Sequence, residues 1–163
     1  MKRSLLAAVL VLALTVCSSA AYGQGPELSG EMKARKIVMS EDNRDIAVPA
    51  DQVFPLDMVE YTLRYRNTGN ASATGINLTG PIPEGTVYLD RTATGIEGAR
   101  PRFSIDGGKT YQESPVTYTF LNKKGEEETR EATPDMITHV QWHMEGDLEA
   151  GQDVVVSYRV QVK

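Results

Sequence analysis

Cysteine is almost absent from this chain: among 163 residues only Cys17 carries a thiol. One thiol closes no disulfide within the chain, so a packed core must carry its stability. Basic residues are in the minority, 17 Lys and Arg against 22 Asp and Glu. Nucleic acid and anionic lipid are polyanions, so a surface of this sign argues against both as partners. Past the first fourteen residues no apolar run approaches the ~20 residues of a membrane span. A Gly-x-Ser-x-Gly elbow is also missing, and Cys17 sits where it would be lost with a leader. Without an elbow or a cysteine nucleophile, nothing in the sequence demands an enzyme.

What is present begins with that leader. Lys2 and Arg3 precede an apolar run from Leu5 to Leu14, and small residues follow through Gly23. A basic start, a short apolar run and a small-residue exit predict a secretory signal peptide over residues 1–23. Cleavage after Ala20, Ala21 or Gly23 fits the small-residue rule, the last two best. The mature chain is expected to be exported, to periplasm or medium. Cys17 invites comparison with lipid-anchor signals, which take a small residue just before the cysteine; Val16 stands there. Cys17 is therefore expected to be a passive part of the leader. Losing Lys2 and Arg3 takes the formal net charge from −5 to −7.

The chain is organised around residues 57–70. Val59, Tyr61, Leu63 and Tyr65 alternate with Glu60, Thr62, Arg64 and Arg66, a period of two that predicts a strand with one buried face. Asn67 to Asn70 is expected to turn the chain through left-handed backbone angles. Residues 24–33, with Gly25, Pro26 and Gly30, are expected to be a polar tether or a first edge. Lys33, Arg35 and Lys36 make 34–39 an edge strand. Pro49 and Pro55 exclude 46–55 from any central ladder.

Further strands are expected at 75–79, 86–89, 116–121, 138–144 and 154–162. Residues 102–105 and 110–112 flank a hairpin turn at Asp106, Gly107 and Gly108. The charged stretch 122–135 is expected to be a solvated hairpin tip. About seven or eight short strands with turns between them predict an all-β sandwich over residues 34–163.

Two blocks carry a family resemblance. One runs from Val59 through Asn67, Gly69 and Thr79 to the corner Pro81, Pro83 and Gly85. The other holds Trp142, Gly151 and the closing strand to Val162. Together they resemble the conserved-repeat family called domain of unknown function number eleven. The resemblance covers most of residues 51–163. It implies an immunoglobulin-like β-sandwich and a non-catalytic module of bacterial or archaeal envelopes. The family usually has an acidic residue and a leucine before its proline corner, where this chain has Gly80, Pro81 and Ile82.

Candidate chemistry is sparse. Ser104, Asp106, Gly108, Thr110 and Tyr111 are similar to the Asp-box hairpin of sialidase-like propellers, which is a folding device; a single copy builds no propeller. His139 and His143, four apart on a strand, would stand about 13 Å apart, too far to share a zinc ion. Asp147, Glu149 and Asp153 lack the spacing of a calcium loop. Asn70 and Asn77 open glycosylation sequons, which act only in a eukaryotic secretory pathway. No catalytic, cofactor-binding or metal-binding residue is therefore assigned, and no cofactor.

Trp142 is expected in the core. The expected function is an exported, non-catalytic envelope module, structural or protein-binding through a strand edge or end loops, with an unidentified envelope protein or polysaccharide as partner. The alternative is a polysaccharide-binding module with Tyr88, Tyr111 and Tyr118 as an exposed coplanar set and Trp142 as a possible platform. A hydrolase would need converging ionisable groups in a cleft. A pilus-type chaperone would need paired basic anchors that the sequence does not supply.

Overall fold

The computed structural model describes residues 25–163; the leader and Cys17 lie outside the described residues. Eleven strands form: β1 (Leu28–Met39), β2 (Asp45–Pro49), β3 (Met58–Asn67), β4 (Ile76–Pro81), β5 (Thr86–Tyr88), β6 (Arg102–Ser104), β7 (Gln112–Glu113), β8 (Thr117–Leu121), β9 (Glu127–Glu131), β10 (His139–Met144) and β11 (Asp153–Val162). All pairings are antiparallel. One sheet runs β2-β1-β3-β11-β5, a second β4-β10-β6-β7, and β8 with β9 makes a separate ribbon. The all-β sandwich expected from the alternation is the fold, with more strands than the sequence marked out.

The alternation fixes which residues meet. Val59 and Leu63 of β3 and Val156, Tyr158 and Val160 of β11 face Leu78, Val140, Trp142 and Phe103 of the second sheet. Trp142 is 1% exposed and packs at 6.3 Å, ring to ring, on Tyr158. Two tyrosines also bridge the sheets. The Tyr65 hydroxyl donates to the carbonyl of Thr79 at 2.8 Å, and the Tyr158 hydroxyl donates to that of Pro81. A buried tyrosine needs such a partner, and burial pushes the Tyr158 hydroxyl's pKa up, which keeps it a donor. Gly80 lies beneath: a Cβ there would sit 2.5 Å from the Tyr158 ring.

The structure corrects the start of the domain. Of the two expectations for the stretch before residue 34, the first edge is what forms: from Leu28 onward it is β1, not a tether, paired residue by residue with β3 from Leu28 opposite Asn67 to Ile37 opposite Met58. The edge expected at 34–39 is covered instead, by β2 from Arg35 to Met39. Pro49 ends β2 opposite Arg35. The Asn67–Asn70 turn forms, with β3 ending at Asn67 and the chain bending from Gly69, but not through left-handed angles. None of its residues has a positive φ. Gly69 is needed for space instead, since a Cβ there would lie 2.3 Å from the carbonyl oxygen of Gly25. The charged tip shrinks to about residues 122–126, because the acidic run beyond it pairs with β8 as β9.

Candidate functional site

The five-stranded sheet is wider than the sheet it packs against. β4, the edge of the second sheet, is hydrogen-bonded by Tyr65 of β3; β1 and β2 extend past it. Residues opposite each other in a ladder share a face. Leu28, Gly30, Met32 and Ala34 pair with Asn67, Tyr65, Leu63 and Tyr61, so they belong to the inner face. Yet Leu28 and Met32 are 43% and 44% exposed, and Ala34 is exposed as well. Ile46 of β2, also on that face, is 47% exposed.

The same stretch leaves backbone groups unpaired. The Thr68 N–H donates to the Glu27 carbonyl, so odd-numbered residues of β1 bond β3. The Ser40 N–H donates to the Arg44 carbonyl, so even-numbered residues bond toward β2. β2 stops at Pro49, opposite Arg35. Among the described residues no strand lies beside 28–34, where Leu28, Gly30, Met32 and Ala34 present N–H and C=O to solvent. The sequence held the signal, an alternation of Leu28, Gly30, Met32 and Ala34 with Ser29, Glu31, Lys33 and Arg35. The nearby Pro26 and Gly30 hid it.

A second concavity of about 740 Å³ opens where the 96–100 loop stands off the end of β10. Ile96, Arg100, Arg102, Glu113, His143 and Glu145 line it. The Arg100–Glu113 pair across it is 3.5 Å apart and exposed, an arrangement worth little. It contains both signs of charge and no Phe, Tyr or Trp side chain.

The residues singled out from sequence take structural places. The hydroxyl of Ser104 donates to Asp106 at 2.7 Å and accepts from the Gly108 N–H. The Asp106 carboxylate also accepts from the N–H of Lys109 and Thr110 and from the Thr110 hydroxyl. These bonds, the Thr110 hydroxyl's first, hold its pKa well below the usual carboxylate range. The device closes a turn, as the motif implied.

His139 and His143 lie on β10 with Gln141 between them; His139 meets the Thr138 hydroxyl and His143 the Asn77 side chain. Asp153 pairs with Arg64, Glu149 accepts from the Ser72 hydroxyl, and Asp147 is exposed. Among the described residues no three His, Cys, Asp or Glu side chains are grouped as metal ligands would be.

The proposed aromatic set does not assemble. Tyr88 is 4% exposed, packed on Phe103 in the core with the rings tilted by 50°, and its hydroxyl is buried beside residues 92–93 but short of hydrogen-bond geometry. Tyr111 is half-buried on the Asp106 hairpin. Tyr118 instead packs on Phe120 of the β8–β9 ribbon, tilted by 37°, and the Arg130 guanidinium lies 4.4 Å from the Phe120 ring centre. Trp142, in the core, is no surface platform.

Asn67 is a residue whose role the sequence did not disclose. It is fully buried at the end of β3. Its Nδ2 donates to the carbonyls of Ala71 and Leu148, and its Oδ1 accepts from the N–H of Glu27 and Gly69. It joins the start of β1 to the turn before β11.

No family model, no curated protein and no solved structure matches the chain. Among the described residues no helix is long and apolar enough to cross a membrane.

Proposed function

We propose that the protein is an exported, non-catalytic module of the cell envelope that works by binding another envelope protein. The observation that carries this is the overhang of β1: an exposed apolar face joined to a row of unpaired backbone groups. Backbone groups of this kind are a template for a further strand. Export rests on the leader of residues 1–23. The non-catalytic reading is supported by how the polar side chains are spent. Asp106 holds a turn, Asp153 and Glu60 hold arginines, and both histidines meet neighbouring polar groups. The resemblance to the domain-of-unknown-function-eleven family, and through it an immunoglobulin-like plan, is retained as part of this proposal. Crosslinking in intact cells with a tagged copy at native level, followed by mass spectrometry, tests it. One reproducible envelope protein is expected, and capture at background level would refute the reading.

A second reading has its own observation. Tyr118, Phe120 and Arg130 form an aromatic and cationic cluster on the β8–β9 ribbon, and aromatic faces stack on sugar rings. Retention by purified wall polysaccharide, lost in Phe120→Ala, would move the assignment to a glycan-binding module.

A further inference from the structure

The open edge at 28–34 has a chemical signature on each face. Its inner side offers Leu28, Met32 and Ala34, with a gap at Gly30 beside the half-buried Tyr65 ring; a Cβ there would stand 3.2 Å from that ring. Its outer side offers Ser29, Glu31, Lys33 and Arg35, with Arg66 opposite Ser29. Lys33 is held by Glu31 at 3.1 Å, both exposed. Arg35 and Arg66 are in no ion pair among the described residues, so the outer face keeps two free guanidinium charges on an otherwise acidic chain, Arg35 at the rim and Arg66 one strand further in, on β3.

The slot is bounded. Pro49 blocks one end, opposite Arg35, and Pro26, which has no N–H to offer, ends the row of donors at the other. About seven residues of extended chain fit, roughly 23 Å.

A second copy of this edge fits poorly. Two copies paired over the whole of 28–34 about a two-fold axis, clear of both β2 strands, centre on Glu31. That sets two like charges directly opposite each other, which is destabilising. We propose that the slot takes one extended segment of a partner protein in which apolar and acidic residues alternate. The apolar side chains continue the inner face over Tyr65 and Met32. The acidic ones meet Lys33, Arg35 and Arg66. Backbone bonds form to Gly30, Met32 and Ala34.

The proposal rests on the interaction-module reading, and two experiments separate them. In the first, the purified protein is titrated with an end-blocked peptide of alternating glutamate and valine, and with its lysine–valine counterpart, while amide exchange is followed by NMR. The glutamate peptide is expected to protect the amides of Gly30, Met32 and Ala34, and to bind at least about tenfold more weakly at high salt. Met32→Pro should abolish binding; because the Met32 N–H faces the slot, proline removes no bond from the chain's own ladder. Charge reversal by Lys33→Glu with Arg35→Glu should transfer the preference to the lysine peptide. No protection, or equal protection by both peptides, would overturn the proposal. So would a free protein of twice the chain mass that Met32→Pro returns to single mass, which would give the edge to a second copy. In the second, a photo-crosslinking residue is placed at position 32 or 143 in cells. Capture from 143 and not 32 overturns the slot and leaves the interaction reading intact; capture from neither overturns both.

Discussion

Replacing Asn67 by alanine would leave the Glu27 and Gly69 N–H and the Ala71 carbonyl without partners at once, while the Leu148 carbonyl keeps its bond from the Ala73 N–H. Buried groups left unsatisfied cost about 1–3 kcal/mol each when they cannot rehydrate, so Asn67→Ala is expected to lose about 2–4 kcal/mol in urea unfolding. Gly80→Ala fails differently. Its methyl would press on a Tyr158 ring held in place by Pro81, and overpacking of this kind costs about 1–3 kcal/mol. Asp106 gives a pH signature. Its folded-state pKa is depressed by the Thr110 and Ser104 bonds, below an unfolded value of about 3.9. The stabilisation is therefore complete above that pH and is lost as pH falls toward the folded value. Asp106→Ala should melt earlier at neutral pH and show a flatter melting profile below about pH 4. An unchanged acid dependence would exclude the turn as its source.

Among the elements, β1 carries the sharpest expectation. Amides of Ser29, Glu31 and Lys33 bond β3, while those of Gly30, Met32 and Ala34 face solvent, so hydrogen exchange of the free protein should alternate slow and fast along the strand. Uniform protection would mean that the edge is already covered. The β8–β9 ribbon, exposed along most of its length, should exchange before β3, β10 and β11. β3, β10 and β11 were legible in the sequence because each places a regular apolar side against a facing sheet. The Asp106 hairpin was legible because glycines and a short carboxylate leave few other shapes. β9 was not: Glu127, Glu128, Thr129, Arg130 and Glu131 have no apolar side, so periodicity has nothing to report. Only pairing with Thr117–Leu121 makes them a strand. Sheet widths were likewise hidden, and with them the overhang. A strand's own residues do not say whether a second sheet reaches far enough to cover them.

For the whole molecule, one core joins both sheets, so cooperative unfolding is expected, with a midpoint that reducing agent leaves unchanged. A shift on adding dithiothreitol would point to intermolecular disulfides through Cys17 and an uncleaved leader. The topology has a mechanical side as well. β1 and β11 both lie antiparallel to β3, on its two flanks. The chain enters this triplet at Leu28, beside Asn67, and leaves it at Val162, just past the Met58 end of β3. Those two points are about 30 Å apart along β3. Tension applied through them would drag β1 and β11 in opposite directions along β3. The crosswise hydrogen bonds of both ladders would then be loaded together in shear instead of peeling open one at a time. Stretched between two anchors, this sandwich would behave as a stiff link that yields abruptly at high force.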